Sequence, residues 1–296
     1  MTALSYTLIS FPGLGLELDP PSTIQLGPLT IHFYGLIIAV GMLLAVLYAS
    51  KRSKEFGLKE DDLIDGVLWV APFAIICARL YYCIFEWDQY ASNPISILYI
   101  WNGGLAIYGG VLGAVIGLSV FCKVRKIKAT AMMDVVSLGL LIGQLVGRWG
   151  NFMNREAFGA PTDSFLRMGL YNTATGAVEY YHPTFLYESL WNFVGFLLLH
   201  FLSKKRKYDG QVALGYVAWY GLGRAFIEGL RMDSLYWGPF RVSQVLAGIS
   251  CVVAVAVLLW QGFRPHDPAK MLVNQAKEAK SEEAPKTEDE THENEG

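Results

Sequence analysis

The sequence predicts an all-α polytopic membrane protein. It has seven transmembrane helices, its N-terminus outside, its C-terminus in the cytoplasm and a small extracytoplasmic cap. Three observations carry this expectation. The 296-residue chain is 53% hydrophobic and only 17% charged, against about a quarter charged in soluble domains, and its mean hydropathy is +0.33. Seven segments hold the roughly 20 apolar residues that a hydrocarbon core requires. Lysine and arginine crowd into alternate loops, and that bias sets orientation. The net charge of −2 gives no reason to expect a nucleic-acid partner, because the charges are segregated rather than spread.

Residues 1–28 read as an extracytoplasmic N-terminal segment. No lysine or arginine precedes Lys51, so a basic leader is not expected, and Pro12, Pro20 and Pro21 break the early chain. The seven-helix catalytic domain then runs over 29–263, with spans near 29–50, 63–85, 97–122, 129–150, 183–203, 211–230 and 242–263. The second and sixth are weakest, because they carry Arg79, Arg224 and Glu228. Lys51, Arg52, Lys54 and Lys59 fill the first loop, Lys123, Arg125, Lys126 and Lys128 the third, and Lys204, Lys205, Arg206 and Lys207 the fifth. The N-terminal segment and the 86–96 loop have none. Residues 151–182 alternate turn formers with aromatics and read as an ordered cap, with a hairpin around Asn172–Gly176. Residues 264–296 are rich in acid and have no aromatic after Phe263, the composition of a disordered cytoplasmic tail.

Two spans carry ladders of small residues, Gly109–Gly113–Gly117 and Gly139–Gly143–Gly147, a spacing that lets a neighbouring backbone approach closely. Cys77, Cys83, Cys122 and Cys251 sit in apolar runs without metal or disulfide spacing and read as small buried hydrophobes. Neither a metal nor a cofactor is expected.

This orientation gives every unusual polar residue a depth. The second, fourth and sixth spans run outward and bring Arg79, Arg148, Arg224 and Glu228 to their outer halves. The first, third and fifth run inward, and their outer ends hold Tyr34, Asn102, Tyr108, His182, Tyr187 and Glu188. The polar set therefore lies at one level, the outer leaflet, and ionisable groups inside spans usually face a functional cavity. Each has a plainer reading. Arg224 and Glu228 are four residues apart, with Arg231 three further on the same face, and an internal ion pair would satisfy both. Arg148 at a helix end has the option of snorkelling to the interface. The tyrosines suit an aromatic belt, Asn102 and Asn151 helix caps, and His182 a helix start. One glutamate, however, does not neutralise Arg79, Arg148 and Arg224 together. A surplus of guanidinium asks for an anion, and at this level a phospholipid phosphate suits the bidentate fork of arginine.

The stretch GRWGNFMNREAFG at 147–159 resembles the signature of the prolipoprotein diacylglyceryl transferases, G-R-x-G-N-F-x-N-x-E-x-x-G. It matches at Gly147, Arg148, Gly150, Asn151, Phe152, Asn154, Glu156 and Gly159. FYGL (33–36), ARLYY (78–82), WNGGLAIYGG (101–110), HPTFLYES (182–189) and GRAFIEGLR (223–231) also look like family segments, so the resemblance covers 30–263. It implies transfer of the diacylglyceryl group of phosphatidylglycerol to the lipobox cysteine of a prolipoprotein signal peptide, forming a thioether and releasing glycerol 1-phosphate, at the bacterial cytoplasmic membrane. It also implies Arg148 as the phosphatidylglycerol contact, with Asn151, Asn154, Glu156 and Gly159 shaping the same site. Arg224 would stabilise developing phosphate charge, Glu228 would orient it, and Tyr34 matches an important family tyrosine.

This chain departs from some members, which have His before the Gly-Gly of the third span where it has Tyr108. A phenol with a pKa of about 10 is a poor base at neutral pH. Either a phenolate beside arginine serves as base, or no base stands there and the arginine field lowers the thiol's own pKa; the second is preferred.

Three other classes compete. A lipid flippase or transporter would show polar groups on both sides of the midplane and repeated spans, and neither is present. A non-catalytic lipid-binding protein is compatible with the arginine cluster, and only the motif and its companions oppose it. An intramembrane protease needs a nucleophile, paired-Asp or metal pattern, yet there is no HExxH and Asp134 has no evident partner.

Overall fold

A computed structural model of the chain describes residues 6–283, so the last part of the expected tail, 284–296, lies outside the described residues. In chain order the helices are α1 (Phe33–Arg52), α2 (Glu60–Phe85), the short α3 (Trp87–Tyr90), α4 (Ile107–Val124), α5 (Ala129–Asn154), α6 (Thr184–Ser203), α7 (Gln211–Glu228), α8 (Val242–Gly262) and α9 (Leu272–Glu283). Six of them, α1, α2, α4, α5, α6 and α8, are long and apolar enough to cross a membrane. The 18-residue α7 is helical throughout but less apolar, because Gln211, Arg224 and Glu228 interrupt it.

The chain is mostly helical rather than all-α. Strand β1 (Tyr6–Phe11) pairs with β2 (Leu16–Leu18), and hairpin β3 (Thr23–Leu26) and β4 (Leu29–His32) leads into α1. After α5, β5 (Met168–Asn172) and β6 (Ala177–Tyr181) are joined by a tight turn in which Gly176 takes φ +70°. The four make an antiparallel sheet, β2-β1-β5-β6. A further hairpin, β7 (Tyr236–Trp237) and β8 (Phe240–Arg241), precedes α8. The third span also begins later than expected. Residues 94–102 form two 3-10 turns, Gly103 and Gly104 take φ of +87° and +77°, and the helix starts at Ile107.

Two compact units divide the described residues, one of 6–51 and 133–265, the other of 52–132 and 266–283. The first holds α1, most of α5, α6, α7 and α8, and its sheet packs on the ends of α5 and α6. Ile9, Phe11, Met168, Leu170 and Tyr181 from the strands bury against Phe152 of α5 and Phe185 of α6. Burial of each such side chain contributes about 2 kcal/mol, which fastens the N-terminal strand to the helix ends. Arg155 adds a polar fastening. Held at φ +54° and 6% exposed, it donates to the carbonyls of Thr7, Met153 and Pro20 and pairs with Asp19 at 2.7 Å. Asp134, fully buried, does have a partner. Its carboxylate accepts from the backbone N–H of Gly210 (2.8 Å) and Ala213 (2.9 Å), capping α7. Of the fourth-span glycine ladder, Gly139 and Gly147 lie against Ala45 and Ile38 of α1, while the space beside Gly143 is open.

In the second unit α4 packs on α2 through the other ladder. A Cβ on Gly109 would lie 2.4 Å from Tyr81 Cβ, and one on Gly113 2.5 Å from Cys77 Cβ. Arg79, 5% exposed, is not surplus charge. It donates to the carbonyls of Ile97, Gly103, Gly104, Ser96 and Tyr99 at 2.6–3.4 Å, tying down the segment before α4. Within the segment read as a disordered tail, the described residues include α9 and fold back. Met271 is buried, Lys128 donates to the Lys270 carbonyl at 2.6 Å, and Leu272 backbone rests on Gly57. Cys83 and Cys122 are buried, and Cys77 and Cys251 half-buried, all four free.

Candidate active site

The polar stretch GRWGNFMNREAFG closes α5, and its glycines seat the helix. A Cβ on Gly150 would meet the Tyr34 ring at 2.8 Å and one on Gly147 would meet Ile38 at 3.1 Å, so the motif glycines bring α1 flush against α5 beside Arg148. Gly159 has a similar role. Its N–H donates to the His182 carbonyl (2.9 Å), it bridges to Arg231, and a Cβ there would strike His182 at 2.7 Å. The motif's end is thus threaded between the start of α6 and the exit of α7. Two residues there, Arg155 and Ala157, take left-handed φ of +54° and +55°, a conformation that costs a non-glycine residue roughly 1–3 kcal/mol.

Glu188, in the second turn of α6 and 3% exposed, joins three segments. Its Oε2 lies 2.5 Å from Arg148 Nη2, and its Oε1 lies 3.0 Å from Arg224 Nη1 and 3.5 Å from Arg231 Nη1. Arg224 Nη2 reaches Glu228 Oε2 at 2.6 Å. Arg231 forks onto Asp233, Nε to Oδ1 at 2.9 Å and Nη2 to Oδ2 at 2.6 Å. From Arg148, Nη1 donates to Asn151 Oδ1 (3.2 Å), and Asn151 Nδ2 donates to Glu156 Oε1 (3.0 Å). Arg241 donates to the Glu228 carbonyl, anchoring the β7–β8 hairpin to the end of α7. A small cavity opens beside this network, lined by Glu188, Asn192, Tyr220 and Arg224 among others.

These contacts correct the charge argument made from sequence. Three guanidiniums (Arg148, Arg224, Arg231) meet three carboxylates (Glu188, Glu228, Asp233), so the cluster is balanced. Anion binding has to be argued from donors instead of from net charge. A guanidinium has five N–H donors, and among the described residues Arg148 and Arg224 each use only part of theirs. Their side chains are 22% and 18% exposed, against 4% for Glu188, so both arginines keep an access that the carboxylate joining them lacks.

Outside the helices, burial alone would push the Asp233 carboxyl up, but the hydrogen bonds and charge of Arg231, with Arg224 adding, hold it below its ordinary value. Burial likewise works against the Arg231 charge, and Asp233, Glu188 and Glu228 outweigh it and raise its pKa.

Of the residues expected to form the site, the structure brings Arg148, Asn151, Glu156, Arg224 and Glu228 into one bonded network, with the Tyr34 ring alongside. Gly159 serves packing. Asn154, half-buried at the last position of α5, makes no side-chain hydrogen bond to this network among the described residues. Tyr108 belongs to the other unit, half-buried in the first turn of α4. Sequence reading missed the roles of Glu188 and Asp233. For Glu188 a signal existed: an acid at a helical span's second turn, opposite unexplained arginines.

Fold and site together define a class: a multi-pass helical membrane protein with a buried carboxylate that links arginines from separate helices. Comparison with known proteins narrows it. The family model for prolipoprotein diacylglyceryl transferase matches residues 21–260, and the chain belongs to that family. Curated relatives called phosphatidylglycerol–prolipoprotein diacylglyceryl transferase are 42% identical in Listeria monocytogenes over 265 residues, covering 88% of this chain and 96% of the relative. One from Limosilactobacillus reuteri is 46% identical over 247 residues, 81% and 90%. Another from Halalkalibacterium halodurans is 41% identical over 272 residues, 86% and 93%. The resemblance read from the motif is therefore borne out.

Proposed function

We propose that this chain transfers the diacylglyceryl group of phosphatidylglycerol to the lipobox cysteine of a prolipoprotein signal peptide, the first step of bacterial lipoprotein maturation. The cysteine sulfur forms a bond to the glycerol carbon as that carbon's bond to the phosphate oxygen breaks. A thioether and glycerol 1-phosphate result, and the thiol proton leaves to solvent or to the phosphate. The observation that carries the reading is Glu188 holding Arg148 and Arg224 side by side with donors to spare. Two forks preorganised by a buried carboxylate stabilise charge as it develops on a leaving phosphate.

In this reading Arg148 grips the lipid phosphate, and Asn151 and Glu156 fix its orientation. Arg224, steadied by Glu228, takes the growing charge, while Tyr34 lines the lipid's approach. Asn154 and Gly159 complete the wall. A free thiol has a pKa of about 8.5, and the arginine field lowers it toward thiolate without a base. Tyr108 is then dispensable, and Tyr108→Phe is expected to keep transfer.

The alternation of basic loops supports reading α7 as a seventh span, with the site at the outer leaflet of the cytoplasmic membrane, the C-terminus inside and 151–182 as an extracytoplasmic cap. The test of function is incubation of membranes holding the chain with phosphatidylglycerol labelled in its glycerol backbone and a lipobox peptide. Label on the peptide cysteine supports transfer. Label that only changes leaflet would instead mark a flippase.

A further inference from the structure

Helices α6 and α7 carry the same short pattern, a tryptophan with glycine four residues on: Trp191 and Gly195, Trp219 and Gly223. The two indoles stack at 4.4 Å between centroids and 18° between planes. Each donates its Nε1–H to the other's backbone, Trp191 to the Trp219 carbonyl and Trp219 to the Trp191 carbonyl, both at 3.0 Å. Those carbonyls also face the glycine four residues on, as the helical ladder requires. Each indole lies directly over that glycine. A Cβ on Gly223 would fall 2.1 Å from Trp191 Nε1, and one on Gly195 2.2 Å from Trp219 Nε1. The pairing is reciprocal and satisfies both indole N–H groups, which left unpaired in a hydrocarbon setting would be costly.

We propose that Trp191 and Trp219 are positioning residues for the transfer reaction, a clasp that sets the register of α6 against α7 and so the Glu188–Arg224 pair. The inference rests on the transferase reading above. Glu188 stands three residues before Trp191 on the same helix face, and Arg224 follows Gly223 directly. One residue of slip along a helix is about 1.5 Å, enough to break the 3.0 Å contact between Glu188 and Arg224. Trp191 and Gly223 also line the cavity with Glu188 and Arg224, so the clasp forms one wall of the site it aligns. A neighbouring fastening does the same for α5. Trp149 Nε1 donates to Ser189 Oγ (3.1 Å), and Ser189 Oγ donates to the Leu145 carbonyl (3.0 Å), next to Arg148 and Glu188 respectively.

The test uses the full chain in phosphatidylglycerol-containing nanodiscs, as wild type, Trp191→Phe, Trp219→Phe and Gly223→Ala. Near-UV circular dichroism reports the stacked indoles, thermal unfolding reports folding, and lipobox-peptide labelling gives kcat and KM. A misplacement of about 1 Å costs around 100-fold, and Gly223→Ala is expected to lose that much kcat, with the tryptophan-to-phenylalanine changes losing about tenfold. KM for lipid should change less than kcat, and Trp191→Phe should add little to Glu188→Gln, because both act through one contact.

Variants that lose the indole signal yet keep wild-type kcat overturn the proposal. So does full additivity of Trp191→Phe with Glu188→Gln, which marks a role in stability alone. A wild type without labelling defeats the transferase reading. The clasp is then judged by the lipid-induced rise in thermal midpoint, which must be present in wild type and lost in Gly223→Ala for it to stand.

Discussion

At Glu188 a single carboxylate faces guanidiniums from α5, α7 and the segment after α7. Glu188→Gln keeps the shape but removes the charge that allows Arg148 and Arg224 to lie close together. Losing one preorganised electrostatic element typically costs 10²–10³ in kcat. Glu188→Gln and Arg148→Ala are each expected to fall in that range when peptide labelling is measured, and a Glu188→Gln enzyme within about threefold of wild type would rule out the central role given to this residue.

Asp233 gives a pH prediction. Its pKa is held down in the folded chain, so its pairing with Arg231 stabilises at neutral pH and is lost as pH falls through the folded value. The wild-type thermal midpoint should therefore decline on acidification more than that of Asp233→Asn. The difference should be modest, because the Asp233 side chain is half exposed.

At the scale of elements, α2 and α4 meet where Gly109 and Gly113 leave no room for a side chain. Gly113→Leu forces the helices apart and is expected to cost about 3 kcal/mol or abolish accumulation in the membrane, as read by unfolding of the purified chain. The ladder was legible in sequence because helical spacing is local. The late start of α4 was not, since residues 97–106 are as apolar as a span and are held out of helix by Gly103, Gly104 and the Arg79 clasp. Arg79→Met would remove five hydrogen bonds to carbonyls, of which the Ser96 carbonyl keeps a second donor, the Tyr99 N–H. A hydrogen bond from a charged donor contributes about 1.5–3 kcal/mol, less where the carbonyl is exposed as at Gly103, so destabilisation is expected, with the segment before α4 becoming sensitive to protease.

For the whole molecule, residues 266–283 of the tail belong to a folded unit. Gly57 takes φ +78°, and a Cβ there would lie 2.6 Å from Leu272 backbone. Gly57→Val should therefore detach the tail, and hydrogen exchange is expected to quicken at 268–280 and around Ser53–Phe56 together. Exchange unchanged in both segments would show that the tail's contact is dispensable. An acid-rich composition argued for disorder because it lacks aromatic and β-branched mass, and composition does not register a turn shaped to receive it.

By itself the sequence determined the membrane character, most of the helices and the family, together with the arginines of the site. Each of these is written in short windows: twenty apolar residues, a loop of lysines, thirteen residues of motif. Only the tertiary structure decided how the charges pair. Arg79 turned out to be satisfied by carbonyls, Glu188 to join residues 36 and 40 positions away in the chain, and the N-terminal segment to be a strand of the sheet over α5. Counting charges treats them as a pool, whereas an ion pair forms only where packing brings two particular atoms within a few ångströms, and that distance is a property of the fold.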